Sequence, residues 1–150
     1  MPATFGQMVR RMRKDARAGR AIPWAILVNG RLAGQLTVGG ITYGSLRSAY
    51  IGYWIDKDLA GRGIMPAAVA MACDYCLDVM RLHRIEINIR PENTASLRVV
   101  EKIGLRMEGE RPKYLHIDGD WRDHWTFVVM AGEFPEGVLA HLRGRQSRTA

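Results

Sequence analysis

Hydrophobic positions along the 150 residues switch between a helical and a strand period, and the order of the switches predicts the architecture. Thr4-Phe5-Gly6-Gln7 has the form of a capping box, with Thr4 as N-cap and Gln7 as the reciprocal residue. Phe5, Met8, Val9, Met12 and Ala16 then recur at helical spacing, with arginines and Lys14 on the other face and Gly19 as the stop. Ile22 to Asn29 reads as a strand, and Asn29-Gly30 is a hairpin turn returning the chain along Arg31 to Val38. A glycine-containing loop, Gly39 to Gly44, leads to a third strand, Ser48 to Ile55. Strands in sequence with short connections predict an antiparallel meander.

The helical period resumes after Gly61-Arg62-Gly63, where Ile64, Ala67, Ala68, Met71, Ala72, Tyr75 and Val79 form a broad apolar stripe expected to face the core. Arg84 to Ile89 is the next strand, with Ile85, Ile87 and Ile89 on one face and Glu86, Asn88 and Arg90 on the other. Strand, helix and strand predict a parallel βαβ crossover. Asn93 can cap a helix through Lys102, with Leu97, Val100 and Ile103 inward and Gly104 ending it. Leu105 to Met130 reads as a hairpin through Asp118-Gly119, followed by a short helix from Val138 to Leu142 and a basic flexible tail over residues 143–150. The expected fold is one α/β (α+β) domain over residues 1–150, built on a mixed central sheet.

Composition narrows the class. The apolar share of 47% and charged share of 25% are those of an ordinary globular protein. No apolar run approaches a bilayer span and the N-terminus has no signal-like apolar stretch, so a cytoplasmic protein without a membrane partner is expected. The net charge of +7 gathers at Arg10, Arg11, Arg13, Arg17 and Arg20 and at Arg143, Arg145 and Arg148. Such clusters suit a polyanionic ligand, an acidic partner or nucleic acid, and equally a solvated helix face. A pure nucleic-acid-binding domain is disfavoured because the aromatics alternate into core strands. Cys73 and Cys76 lie inside a helix, away from its N-terminus and without a second cysteine pair. Buried structural thiols are therefore expected, not a redox or metal site.

The candidate chemistry centres on Ala49 to Leu82. Strand, glycine loop and helix start form a recurring phosphate site: first-turn amides lack intrahelical partners, the dipole favours an anion, and glycines admit the ligand to the backbone. Arg62 adds a positive charge there.

Three strings together resemble the GNAT acetyltransferase superfamily, over about Trp24 to Phe134. Ala60-Gly61-Arg62-Gly63-Ile64-Met65 is similar to its Gln/Arg-x-x-Gly-x-Gly/Ala turn, with Gly63 kept. Asn93 to Leu105 resembles an N-x-x-S-x-R-x-x-E-K-x-G-F string, and Asp118 to His124 an N-G-x-W-x-D-x hairpin, both found in the branch that acetylates the N-terminal alanine of ribosomal proteins.

The resemblance implies central strands that splay at a β-bulge, with the pantetheine arm of acetyl-CoA bonded to the backbone at Tyr53, Trp54 and Ile55. It puts the pyrophosphate on Ala60, Gly61, Arg62, Gly63, Ile64 and Met65, with Asn93 on the pantetheine side and Arg98 reaching a phosphate. The implied reaction is direct attack of an amine on acetyl-CoA, the cosubstrate, in a ternary complex. The acceptor would be an N-terminal alanine or serine of a ribosomal protein, with ribosome association. Alternatives are a small amine such as an aminoglycoside or polyamine, or a CoA-binding module without turnover.

Many superfamily members use a tyrosine as the acid, at the position of Val100 here. Ser96 is the candidate instead, beside a purely structural reading of it as an N3 residue bonded to the Asn93 cap. Tyr50 stands where branch members often carry a glutamate, leaving Glu86 as the best remaining carboxylate for a base, beside a structural hydrogen-bonding role for it; water or the amine's own neutral fraction could replace a base. The strand and helix that usually open the family's fold have no counterpart in this sequence, and the resulting sheet edge favours a homodimer or a swap.

Overall fold

The computed structural model describes residues 4–149, with the side chains of Phe5 and Thr149 outside the described set. Helix α1 (Phe5–Arg17) starts with the expected capping box, Gln7 N–H donating to Thr4 Oγ1 at 3.2 Å and Thr4 N–H to Gln7 Oε1 at 2.8 Å. Strands β1 (Ile22–Val28), β2 (Arg31–Thr42) and β3 (Ser48–Ile55) form the meander. Helix α2 (Ile64–Asp74) crosses over to β4 (Arg84–Ile89), and helix α3 (Thr94–Ile103) leads to the hairpin of β5 (Arg106–Ile117) and β6 (Asp120–Met130). Helix α4 (Val138–Thr149) closes the chain. The six strands lie in the order β1-β2-β3-β4-β6-β5, a mixed sheet whose one parallel pairing is β3 with β4. No helix among the described residues is long and apolar enough to cross a membrane.

The main core lies between the sheet and α2, α3 and α4. Leu36, Val38, Ala49, Ile51, Ile85, Ile87 and Ile89 supply the sheet side. The α2 side differs from expectation by about one residue of phase. Met65, Val69, Ala70, Ala72, Cys73 and Cys76 are buried, whereas Met71, Tyr75 and Val79 of the predicted stripe are exposed. The helix is apolar nearly all round, so its period has no unique phase, and small side chains win the contact with the sheet. Cys73 and Cys76 are free buried thiols as expected, and burial raises both, Cys76 to about 11. On the opposite face α1 is only half-covered, at Val9, Met12 and Asp15, and Ala16 of its predicted stripe is exposed.

Two further expectations are corrected. The loop predicted from Gly39 is a continuation of β2 through Thr42, with a register irregularity between Gly39 and Thr42. Its glycines make room for the Tyr50 ring, which a Cβ at Gly39 would meet at 2.6 Å. The flexible tail is helical through Thr149. Its anchors are tertiary: Asp74 at the end of α2 accepts from the Val138 and Leu139 amides at 2.7 and 3.1 Å, and Val138 and Leu142 are buried. Arg145 donates to the Lys102 and Glu101 carbonyls at 3.1 and 3.2 Å, covering the open C-terminus of α3. Asp74 is thus an N-cap supplied from 64 residues away. Asp74→Ala is expected to cost about 1–2 kcal/mol, the loss of a helix cap, measured as a lower urea midpoint at unchanged m.

Candidate functional site

The pairing of β3 with β4 is short: Ser48↔Arg84, Ala49↔Ile85 and Tyr50↔Glu86. β3 then runs on to Ile55 and β4 to Ile89 without each other. Past Tyr50, the β4-facing backbone groups of β3 have no strand to bond. The β2–β3 register is unbroken from Gly34↔Ile55 to Gly39↔Tyr50, so no bulge interrupts β3 against β2 where it parts from β4.

A cavity of about 410 Å³ occupies this opening. Tyr53, Trp54 and Ile55 line it from β3; Ala60, Gly61, Gly63 and Met65 from the turn and the start of α2; Asn93, Ser96 and Arg98 from α3. Residues from the strand, the turn and α3 therefore share one space, while the Asp118 to His124 hairpin lies outside its lining. Arg62 and Ile64 are not part of its lining: Arg62 is exposed and Ile64 is half-buried. Lys57 and Lys102 line it without having been singled out. Lys102 lies one helical turn beyond Arg98 on the same face, the signal that could have found it.

The turn is built by local rules. Asp56 accepts from the Asp58 amide at 3.0 Å and starts a short 3₁₀ turn, Lys57–Leu59. Gly61 and Gly63 both take φ of +80°, which side chains resist, and a Cβ on either would project into open space. Gly63 is the N-cap of α2 with no side-chain cap, and the Ile64 and Met65 amides of the first turn have no intrahelical partner; Pro66 has no N–H to offer. A glycine turn leading into a helix start is the kind of backbone that suits an anion.

At α3, Asn93 Oδ1 accepts from the Ser96 amide at 3.2 Å, so the cap role is present. Tyr53 Oη donates to the Ser96 carbonyl at 3.0 Å, tying β3 to α3 across the opening. Burial pushes the Tyr53 phenol up, so it stays protonated at neutral pH. Sequence reasoning gave this tyrosine only a backbone role, since nothing local marks its hydroxyl. Val100 is buried in the core and brings no chemistry to the cavity.

Glu86 lies elsewhere. It is outside the cavity lining, and its Oε1 accepts from Arg84 Nη2 at 3.0 Å and Arg111 Nη2 at 2.9 Å. Partial burial would raise its carboxyl, but the hydrogen bonds from Arg111 and Arg84 outweigh this and hold it below the ordinary carboxylate range. A carboxylate so held is a poor proton acceptor, which speaks against the expected base role. In the hairpin, Asp123 accepts from the Lys113 amide at 2.8 Å and His124 is buried, so both fix the hairpin.

These features accompany a family match. Residues 2–106 match the acetyltransferase (GNAT) domain family, and the chain belongs to it. It is 41% identical over 100 residues to a probable N-acetyltransferase, YjcK, of Bacillus subtilis, covering 67% of this chain and 55% of that one. It is 34% identical over 106 residues to the [ribosomal protein uS5]-alanine N-acetyltransferase of Escherichia coli, covering 71% and 55%. Among solved structures, Mycobacterium smegmatis RimJ in complex with CoA-disulfide superposes with a TM-score of 0.89 at 42% identity, covering 95% of this chain and 68% of that one. The chain spans about half the length of these curated relatives.

Glu86→Gln keeps an acceptor oxygen but removes the negative charge from three hydrogen bonds with Arg84 and Arg111, and is expected to destabilise the fold by about 1–3 kcal/mol. Because the folded pKa is lowered, the carboxylate's contribution is present above its unfolded pKa, about 4.3, and lost as pH falls through the folded value. The wild-type advantage over Glu86→Gln in urea melts should therefore be full at pH 7 and shrink below about pH 4.

Proposed function

We propose that this chain binds acetyl-CoA in the β3–β4 opening and transfers its acetyl group to a primary amine, the N-terminal alanine or serine of a ribosomal protein. The observation that carries this is one cavity joining unpaired strand backbone to a helix start whose first-turn amides lack intrahelical partners. Acetyl-CoA supplies a thioester carbonyl activated for attack. The α2 amides and Gly61-Arg62-Gly63 hold the pyrophosphate, and the unpaired β3 edge orients the extended arm. A fixed β3 amide is also the natural donor to a developing oxyanion. Ser96, half-buried in the cavity wall, is the candidate acid for the departing thiolate. With Glu86 held by two guanidinium groups, the amine gives up its proton to water before attack.

The acceptor class rests on the relatives' names and on charge. The cavity beside α1 is lined by Arg11, Arg20 and Asp15, and Asp15 is paired with Arg20 at 2.9 Å. That balance disfavours a polycationic amine. The exposed arginines of α1, Arg10, Arg11, Arg13 and Arg17, suit an RNA-rich particle such as the ribosome.

Thiol release would be followed with peptides beginning Ala or Ser, with spermidine and with no acceptor. Release is expected with the peptides only. Ser96→Ala should lower kcat about 10²-fold or more while leaving CoA affinity by calorimetry unchanged. Release with spermidine alone would overturn the acceptor, and CoA binding without release on any acceptor would overturn turnover.

A further inference from the structure

We propose that the outer face of α1 binds the phosphate backbone of RNA, a docking contact separate from the acetyl-CoA site, so that the acceptor is met as part of a protein–RNA particle. The inference rests on reading the acceptor as a ribosomal protein. Through Met8, Met12 and Asp15 the inner side of α1 borders a cavity of about 570 Å³. That cavity includes Tyr50, the last β3 residue paired with β4. RNA held on the outer side lies a helix diameter away from it, roughly 10 Å. Such a tether raises the effective concentration of a protein N-terminus carried on the same particle.

Helical spacing collects the charge. Arg10, Arg13, Lys14 and Arg17 are related by steps of three and four residues, so they form one stripe along α1. All four are exposed. From Arg10 to Arg17 the stripe runs about 10 Å along the helix axis. None of the four has an ion pair among the described residues, and Asp15, the one carboxylate of α1, is engaged by Arg20 at 2.9 Å. The helix dipole accounts for Lys14 and Arg17 in the last turn, but not for Arg10 and Arg13 before it. Like charges at this spacing repel one another, and a bound polyanion relieves that repulsion.

The rest of the helix decides between polyanions. A membrane surface takes up the apolar face of a basic helix as well as its cations. Here that face is packed on the sheet: Val9 and Met12 are half-buried, and Gln35 Nε2 donates to Met12 Sδ at 3.9 Å. The chain leaving α1 is fixed too, with the Arg20 carbonyl accepting from the Ile41 amide at 3.3 Å. What α1 offers outward is a row of cations on a braced helix, without an apolar face to insert. Phosphodiester oxygens are bound by such a row through charge and hydrogen bonds, with no call on base sequence.

The test is fluorescence anisotropy of the full chain with a short labelled RNA hairpin, at several salt concentrations and without coenzyme. Log affinity is expected to fall against log salt with a slope of about −3 to −4, the counterion release of four phosphate contacts. Arg10→Gln, Arg13→Gln, Lys14→Gln and Arg17→Gln combined conserve helix propensity, and should weaken RNA about tenfold or more and flatten that slope. Arg10→Lys, Arg13→Lys and Arg17→Lys combined keep the charge and should retain binding. In thiol release, a peptide tethered to the hairpin should show a KM about tenfold below that of the free peptide at equal kcat. The Gln variant should lose this advantage while keeping its urea midpoint and its release on free peptide. Equal RNA affinity in wild type and the Gln variant would overturn the inference, and so would RNA binding without the KM advantage. Tighter binding to phosphatidylglycerol vesicles or to polyglutamate than to RNA at the same salt would overturn it as well. Each of these results leaves the acetyl-CoA reading standing. RNA binding with the expected slope, lost in the Gln variant, but no thiol release on any acceptor would support the RNA contact and overturn turnover alone.

Discussion

Parallel pairing between β3 and β4 stops at Tyr50 and Glu86, and the site exists because neither strand can close the gap beyond. β3 is held on its other edge by β2 as far as Gly34↔Ile55, and β4 by β6 as far as Ile89↔Trp125. Each ladder fixes the course of its strand where the two diverge. The grip of β2 is close: a Cβ on Gly34 would collide with the Trp54 carbonyl. Backbone groups left facing a gap carry a cost unless water or a ligand bonds them. An extended polar chain with its own amides is the kind of ligand that can.

The helices hold the other walls through a closed circuit of contacts. α2 begins at Gly63 in the cavity and ends at Asp74, which caps α4. Arg145 of α4 covers the C-terminus of α3. Ser96 of α3 takes the Tyr53 hydroxyl, and β3 leads back through the turn to α2. Each link is a polar contact at a helix end or a strand opening, where backbone groups lack partners of their own. Loosening one link should therefore shift the cavity walls without emptying the core, which lies deeper, among Val69, Ile85, Ile87 and Ile103.

The strands and most helix bounds were legible because their signals are local. Asn29-Gly30, Gly104 and Asp118-Gly119 all take the positive φ that the turn and cap signatures demand. Ile85, Ile87 and Ile89 alternate inward as their period requires. The glycine turn and helix start that line the cavity were legible for the same reason, since both are sequence features. What was missed depends on distant partners. The phase of α2 is set by the sheet it packs on, and α4 is prolonged by Asp74 and Arg145 contacts spanning many residues. The partners of Glu86 were not legible, because the register that brings Arg111 beside it lies in another element.

The fate of Glu86 constrains the proton balance of any transfer at this site. Two guanidinium groups keep it ionised, and Arg84 is further bonded to Glu108, so the cluster is a fixed lattice of charges across β4 and β5. Such a lattice resists taking up a proton, because protonating one member strands two cations. On the neighbouring strand the Tyr50 ring lies over Gly39 and Gly40. For the transfer proposed above, an acceptor on this face would meet an aromatic surface and balanced charges, with no group among the described residues tuned to remove its proton. That favours amines with a substantial neutral fraction near pH 7. An α-amino group, with an ordinary pKa near 7.7–8.0, meets the requirement, whereas a lysine-like amine near 10.4 falls short by more than two powers of ten.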